Sequence, residues 1–376
     1  MPINRDRMLD QFLSLLRINS PPLKEGQIAA YLQNELRKLG FEVLVDGAGE
    51  ATGGEVGNLI ARKQGRRDAP WLMLSAHMDT VQPTEGLEPV VEGGVVRSSG
   101  STILGADDKA SLAIILEAVR ALDEDEAPRG PLEVVFSIAE EIGLRGARAM
   151  DLSQLRSKFG YVLDSGKPVG GLITAAPTHD LLTVRVRGKA AHAGAQPEAG
   201  VSAIQAASAA IAAMKLGRID EETTANIGTI HGGQATNIIP DFVEIKGEAR
   251  SHSTEKLDQQ VRHMIECFQQ GAARYGASVE VETERAYTAY KVPDSDPLVQ
   301  WAFEAGSRVG IEPTTRAGGG GSDANIFNAK GIRSVVMGVG YEDVHSTSER
   351  IAVDDMVKSA EMLYQLVLVA AERAKV

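Results

Sequence analysis

Cysteine is nearly missing from this chain: one residue in 376, Cys267. A single thiol excludes an internal disulfide and any cysteine-built zinc cluster, and it suits a reducing compartment. Cys267 falls inside an apolar helical pattern (Leu257, Val261, Met264, Ile265, Phe268), which fits a buried structural thiol. No apolar run is long enough to span a bilayer. The leading Met-Pro-Ile-Asn-Arg-Asp-Arg lacks the apolar core of a signal peptide, so the expected compartment is the cytoplasm. Positive charge is scarce too: 39 Lys and Arg against 51 Asp and Glu leave a net charge of −12. That balance argues against nucleic acid or an anionic membrane as the main partner, and it suits a site that gathers cations. There is no internal repeat and no low-complexity linker.

What is present is a globular composition, 43% apolar and 24% charged, on a chain too long for one ordinary core. Two domains are therefore expected. Met8, Phe12, Leu15 and Leu16 recur at helical spacing, and a second helix carries Ile28, Tyr31, Leu32 and Leu36 up to Gly40. The nearly continuous apolar runs at 71–76, 132–138 and 159–163 read as strands covered on both faces. Helical patterns alternate with them, which predicts an α/β sheet whose site lies at the strand ends. The style changes near residue 178. Leu182, Val184 and Val186 alternate with Thr183, Arg185 and Arg187, the mark of a half-exposed antiparallel strand. Residues 178–288 follow the order β-α-β-β-α-β, that of a ferredoxin-like domain inserted into the α/β core, which resumes from 289 to 376 and begins in 1–177.

The candidate chemistry centres on Ile103-Leu-Gly-Ala-Asp-Asp-Lys-Ala110, in which Asp107 and Asp108 precede a helical pattern. Two acids there can simply cap the helix. Other acids and imidazoles, however, sit at strand ends or in the loops that follow: His77-x-Asp79, Glu140-Glu141, Asp164 and His345. A metal-bound histidine usually donates its second ring N–H to a carboxylate, a part that Asp79 can play for His77. One of two adjacent glutamates can bind metal while its neighbour stays free as a base. Singly, each of these is as readily a surface or turn residue. Jointly, five such ligands with a shared aspartate are what two zinc ions about 3.5–4 Å apart require.

Ser75-Ala-His-Met-Asp-Thr80, Gly105-Ala-Asp-Asp-Lys109, Glu140-Glu-Ile-Gly143, Asp164 and His345 closely resemble the dizinc exopeptidases, the family of peptidase T, the glutamate carboxypeptidases and the aminoacylases. The resemblance covers nearly the whole chain. It implies a mixed-sheet catalytic domain with an inserted lid or dimerisation domain, and two Zn²⁺ per chain, with Co²⁺ or Mn²⁺ as possible substitutes. It also implies that Asp107 bridges the ions, with His77 and Asp164 completing one site and Glu141 and His345 the other. Glu140 would be the general base, with Asp79 behind His77, and the Asp107–Asp108 peptide bond would be cis. Within the family, aspartate at 164 and the Gly-Ala-Asp-Asp-Lys-Ala run are closest to peptidase T, implying an aminopeptidase that releases the N-terminal residue of tripeptides. The loop Gly318–Asp323 departs from it, with four glycines and a serine where peptidase T shows threonine. By the same resemblance His192, Asn237, Arg250, Gly320 and Ser322 would bind substrate, and His192 would reach across a homodimer. The alternatives are a carboxypeptidase or N-acyl-amino-acid deacylase of the same family, and a metal-dependent peptide-binding protein without turnover. Partners are then a short peptide and a second copy, with neither nucleic acid nor membrane.

Overall fold

Three short apolar runs form the spine of the catalytic-type sheet. Leu132–Ser137, Leu72–His77 and Phe159–Ser165 lie side by side and parallel, almost wholly buried along their lengths. Arg333–Gly338 adds a further parallel strand beside Phe159–Ser165. Leu59–Lys63 and Glu42–Val45 extend one side antiparallel. On the other side Leu172–Ala176 runs antiparallel to Arg333–Gly338 and carries the short parallel strand Thr315–Ala317. Covered strands of this kind have no face to alternate, hence their unbroken hydrophobicity. The helix Ala106–Glu124 packs against Arg5–Leu16 and Val353–Arg373, and the last also packs against Pro297–Arg308. A small antiparallel sheet joins Pro89–Glu92, Val95–Ser98 and Arg350–Ala352. Because the central strands are parallel, their C-terminal ends fall along one edge.

This computed structural model describes residues 3–374. It divides into two compact units: one made of the residues up to Ala175, Lys291–Gly318 and those from Ser322 onward, the other of Ala176–Tyr290 with Gly319–Gly321. The second unit runs through Thr178–Arg187, the helix Ala203–Ala213, Thr223–Gly232, Phe242–Ser251, the helix Thr254–Tyr275 and Ser278–Tyr287. Its antiparallel sheet places Thr178–Arg187 between Phe242–Ser251 and Ser278–Tyr287, with Thr223–Gly232 outside Phe242–Ser251. This is the ferredoxin-like arrangement. The short strand Gly217–Arg218 is added at the edge.

One face of the helix Ala203–Ala213 is made of small residues, Ala203, Ala206, Ala207 and Ala210. All four are buried in the unit's own core with Val184, Val186, Val243, Ile245 and Phe268. They let the helix Ala203–Ala213 sit hard against Thr254–Tyr275, where a Cβ added at Gly271 would lie 2.7 Å from the Ala206 carbonyl oxygen. The small residues serve internal helix packing. Cys267 is buried on the same long helix.

Candidate active site

The loops at the sheet edge gather the sequence-derived residues of the first unit. His77 is the last residue of Leu72–His77 and is 2% exposed. Asp107 lies in the first turn of Ala106–Glu124, but it and Asp108 leave helical geometry, at ψ 99° and 22°. Gly105 makes that turn at φ +73°, and a Cβ there would come within 3.0 Å of Thr80 Cγ2. The Asp107–Asp108 peptide bond is cis. Glu140 and Glu141 follow Leu132–Ser137 through Ala139 at φ 50°. Asp164 lies within Phe159–Ser165, and His345 sits half-exposed on the loop between Arg333–Gly338 and Arg350–Ala352, at φ 60°. Positive φ outside glycine costs about 1–3 kcal/mol and gathers at functional loops, as it does at Ala139 and His345.

Asp107 has one oxygen for each histidine. Its Oδ1 lies 3.1 Å from His77 Nε2, and its Oδ2 lies 3.3 Å from His345 Nε2. Each imidazole has its own second acid: Asp164 Oδ1 stands 3.9 Å from His77 Nε2, and Glu141 Oε1 stands 3.1 Å from His345 Nε2. His77, Asp107 and Asp164 therefore make one group that could hold a metal ion, and Asp107, Glu141 and His345 another. Glu140 joins a third group with His77 and Glu141, its donor atoms within 4.8 Å of theirs.

The electrostatics suit cations. Burial, reinforced by Asp164, pushes the Glu140 carboxyl well above the ordinary carboxylate range. Burial followed by repulsion from Asp107 does the same to Asp164, and burial raises Glu141 despite its bond to His345. Burial alone would raise Asp107 as well, but its bonds to His345 and His77 outweigh this and hold it well below the ordinary range. His77 stays well above the ordinary imidazole value because Asp107 and Asp79 more than offset its burial. Bonds to Asp107 and then Glu141 raise His345 to about 10. Acids packed this closely repel one another, and borderline-soft divalent ions with nitrogen and oxygen ligands relieve that repulsion. The residues present fit such ions.

Further carboxylates, used differently, hold the loops in place. Asp79 supports His77, but with its main-chain oxygen, which lies 2.9 Å from Nδ1; its carboxylate Oδ1 stands off at 3.5 Å. The chain turns past His77, and the Asp79 carboxylate is committed elsewhere, accepting the N–H groups of Glu140 and Glu141 at 3.0 and 3.1 Å. Asp108 Oδ2 accepts the His77 N–H at 3.1 Å. Sequence reasoning passed over four more groups. Glu25 Oε1 accepts from Ala139 N–H at 2.9 Å, and burial with the nearby Asp79 charge raises its carboxyl to about 7. Glu349 accepts from Gly105 and Asp107 N–H at 2.7 and 2.9 Å, and burial raises it to about 7. The Tyr341 hydroxyl donates to Asp164 Oδ1 at 3.4 Å. Buried Asp323, bonded to the Ser137 hydroxyl, is raised by its burial to about 6. For Glu349, Tyr341 and Asp323 the signal available was position alone, each lying within a few residues of a motif residue or strand end; Glu25, just before the helix Gly26–Lys38, offered none.

The second unit holds the remaining candidates apart from Ser322. His192 Nδ1 accepts the N–H groups of Gly194 and Ala195, both at 3.1 Å. In its neutral form the ring must then carry its proton on Nε2, as a donor. Asn237 is tied to the same loop through its carbonyl, which accepts from Ala193 N–H at 2.9 Å. Arg250 is set by Glu248, whose Oε2 lies 2.9 Å from Arg250 Nη2 and 2.9 Å from His179 Nε2. Its Nη1 approaches the Tyr287 hydroxyl at 3.5 Å, and a Cβ at Gly320 would sit 3.6 Å from that same nitrogen. Ser322, in the first unit, caps the helix Asp323–Ala329 by accepting from Ala324 N–H, and no substrate contact can be read from it.

Such a site, on this pair of folds, is that of a peptidase. Residues 73–369 match Peptidase family M20/M25/M40, and the chain belongs to that family. A tripeptidase from Staphylococcus aureus subsp. aureus Mu50 is 40% identical, with a TM-score of 0.95 over 99% of this chain and 100% of that one. The aminopeptidase PepT from Bacillus cereus ATCC 10987 is 42% identical, with a TM-score of 0.90 over the same shares. Peptidase T from Geobacillus thermodenitrificans is 26% identical over 93% of this chain and 92% of its own length. Among the described residues no helix is long and apolar enough to cross a membrane.

Proposed function

We propose that this chain is a dizinc aminopeptidase that releases the N-terminal residue of tripeptides. The observation that carries the reading is Asp107, whose two oxygens face two different histidines, each paired with a further acid. His77, Asp107 and Asp164 would hold one ion, and Asp107, Glu141 and His345 the other. Two such ions, when bound, polarise the scissile carbonyl and acidify the attacking water.

The chain's own groups do the rest. Glu140, buried beside both ligand groups and not needed to complete either, takes the proton of the attacking water and returns it to the leaving amine. Asp79 holds Glu140 in place through the backbone N–H that it accepts. His192, with its proton fixed on Nε2, donates to the carbonyl oxygen as negative charge develops there, a contribution of ~3–4 kcal/mol in comparable sites. Arg250 receives the substrate carboxylate, because a guanidinium fork bonds both carboxylate oxygens. Asn237 and Gly320 line the same substrate path, and Ser322 holds the loop.

The reading includes a homodimer through the second unit, with His192 serving the partner's site. It rests on the family resemblance and on the exposed Ile204, Ile230 and Ile238 of that unit. Mixing His192→Ala with Glu140→Gln chains should then restore activity, and failure despite proven subunit exchange refutes the shared site. The scarcity of cysteine supports a cytoplasmic enzyme.

The decisive experiment combines zinc analysis with a panel of free tripeptides, N-acetylated tripeptides and N-acyl amino acids. We expect two zinc ions per chain, cleavage of free tripeptides at the first bond, and little action on the acylated compounds. Preferential release of a C-terminal residue or of an acyl group overturns the aminopeptidase reading in favour of a carboxypeptidase or deacylase. Tight peptide binding without turnover reduces the protein to a binder.

A further inference from the structure

The loops at the sheet edge are joined in a ring. Three of the segments that bear candidate ligands also carry a second carboxylate that grips the backbone of the next. The segment of His345 carries Glu349, which accepts the N–H groups of Gly105 and Asp107. The segment of Asp107 carries Asp108, which accepts the N–H of His77. That of His77 carries Asp79, which accepts the N–H groups of Glu140 and Glu141. Glu141 closes the circle on His345.

Within this ring Glu349 holds the least anchored member. His345 is half-exposed, in a left-handed conformation, on a loop closed at its base by paired backbone bonds between Glu342 and Arg350. On its Glu342 side that base is tied to the segment after Asp164, where the Tyr341 carbonyl accepts the Lys167 N–H at 3.3 Å and Lys167 Nζ lies 2.8 Å from Glu342 Oε1. On its Arg350 side Glu349, 1% exposed, ties it to the segment of Asp107 with two oxygens on two N–H groups, one of them that of Asp107 itself. We propose that Glu349 is a positioning residue for the ion shared by His345, Glu141 and Asp107, acting by locking the loop of His345 to the backbone of Asp107. The inference rests on the dinuclear reading above and goes beyond it by naming which ion depends on a residue that touches neither.

Glutamine at 349 can accept only one of the two N–H groups, since its NH₂ would face the other donor. Aspartate keeps the charge but is one methylene too short to reach both. Neither change touches His77, Asp164 or Glu140. A control comes from Glu133, a fully buried carboxylate on the same sheet that likewise accepts two successive N–H groups, those of Arg156 and Ser157, at 3.0 Å each. It lies on the strand Leu132–Ser137 well before Glu140, so its loss costs stability without loosening a ligand-bearing loop.

The test is zinc titration by calorimetry of ion-free wild-type protein, Glu349→Gln and Glu133→Gln, alongside thermal melts and the absorption spectrum with Co²⁺. We expect two ions in wild type and in Glu133→Gln at equal affinities, with Glu133→Gln melting earlier. Glu349→Gln should bind one ion as wild type does and the other at least about tenfold more weakly, the range expected when a group supporting metal ligands is lost. Excess zinc should recover most of its turnover. Should Glu349→Gln fail to fold, Glu349→Asp is read in the same way. Wild-type affinity for both ions in the Glu349 variant overturns the proposal, and so does an equal weakening of both. Fewer than two ions in wild type overturns the dinuclear reading itself, a failure visible before any variant is measured.

Discussion

Glu248 in the second unit and most of the acids around Asp107 in the first, Asp107 itself excepted, are driven in opposite directions. In the second unit Glu248 lies between His179 and Arg250, and the His179 bond, followed by the Arg250 bond, lowers it to about 2 despite partial burial. Other acids of the unit are paired by arginines: Arg285 bonds both Asp180 and Asp258, and Arg185 bonds both Glu244 and Glu282. In the first unit Glu140, Asp108 and Asp164 are pushed far upward, by burial first; Asp164 adds to it at Glu140 and Asp107 at Asp164. The basic partners of the Asp107 cluster are two imidazoles, His77 and His345. What separates the two regions is the source of positive charge. In the second unit the chain supplies it; in the first, the chain builds a negative hole and leaves cations to be taken from solution. Buried acids without partners are costly, so bound ions should stabilise the first unit as well as equip it.

That contrast can be broken at its strongest point by Asp107→Ala. Removing the one shared carboxylate should strip most of both ions and abolish measurable hydrolysis, as read by metal analysis and a tripeptide assay. Two tightly held ions in that variant would mean that Asp107 bridges nothing. Glu140→Gln should instead keep both ions while kcat falls by about 10²–10⁴-fold, with KM little changed. Near-normal turnover with full metal content would assign the proton to another group.

In the second unit the matching change is Arg250→Lys, which keeps the charge but loses the fork. We expect KM for free tripeptides to rise by roughly ten- to a hundredfold, the cost of one bond to a charged group at about 1.5–3 kcal/mol. C-terminally amidated tripeptides should be nearly indifferent to the change. An equal effect on both substrates would remove Arg250 from carboxylate binding.

The smallest effect concerns Glu25, whose folded carboxyl is raised from 4.5 to about 7. Between those values the fold holds a proton that the unfolded chain has released, so stability present below about pH 4.5 is lost as pH rises toward 7. Glu25→Gln should flatten this slope in melts of ion-free protein recorded across that window. An unchanged slope would show that another group carries it.

The sequence made some of these parts legible and hid others for physical reasons. The runs ending at His77, Ser137 and Ser165 announce themselves because a strand buried on both faces must be apolar throughout, and the residue that breaks such a run stands out. The antiparallel second unit was legible in the alternation of Leu182, Val184 and Val186. Glu349 and Glu25 were not, since a glutamate that accepts two backbone N–H groups looks in sequence like any surface glutamate. Asp79 was found as the acid behind the His77 ring, which its Oδ1 faces at 3.5 Å, but its hold on the backbone of Glu140 and Glu141 was not. Spacing says which side chains share a strand end; it does not say where the chain turns after it. The small sheet of Pro89–Glu92, Val95–Ser98 and Arg350–Ala352 escaped for a different reason: each strand is too short to show a period, and its third member comes from the far end of the chain.

The two bonds from Glu349 to Gly105 and Asp107 bridge 244 and 242 residues of sequence. On the ribosome, the loop carrying His345 emerges long after the segments carrying His77, Glu140 and Asp164 have been made, and domains fold as their chain becomes available. The group that His345 makes with Asp107 and Glu141 is therefore the last part of the cluster to be assembled during synthesis.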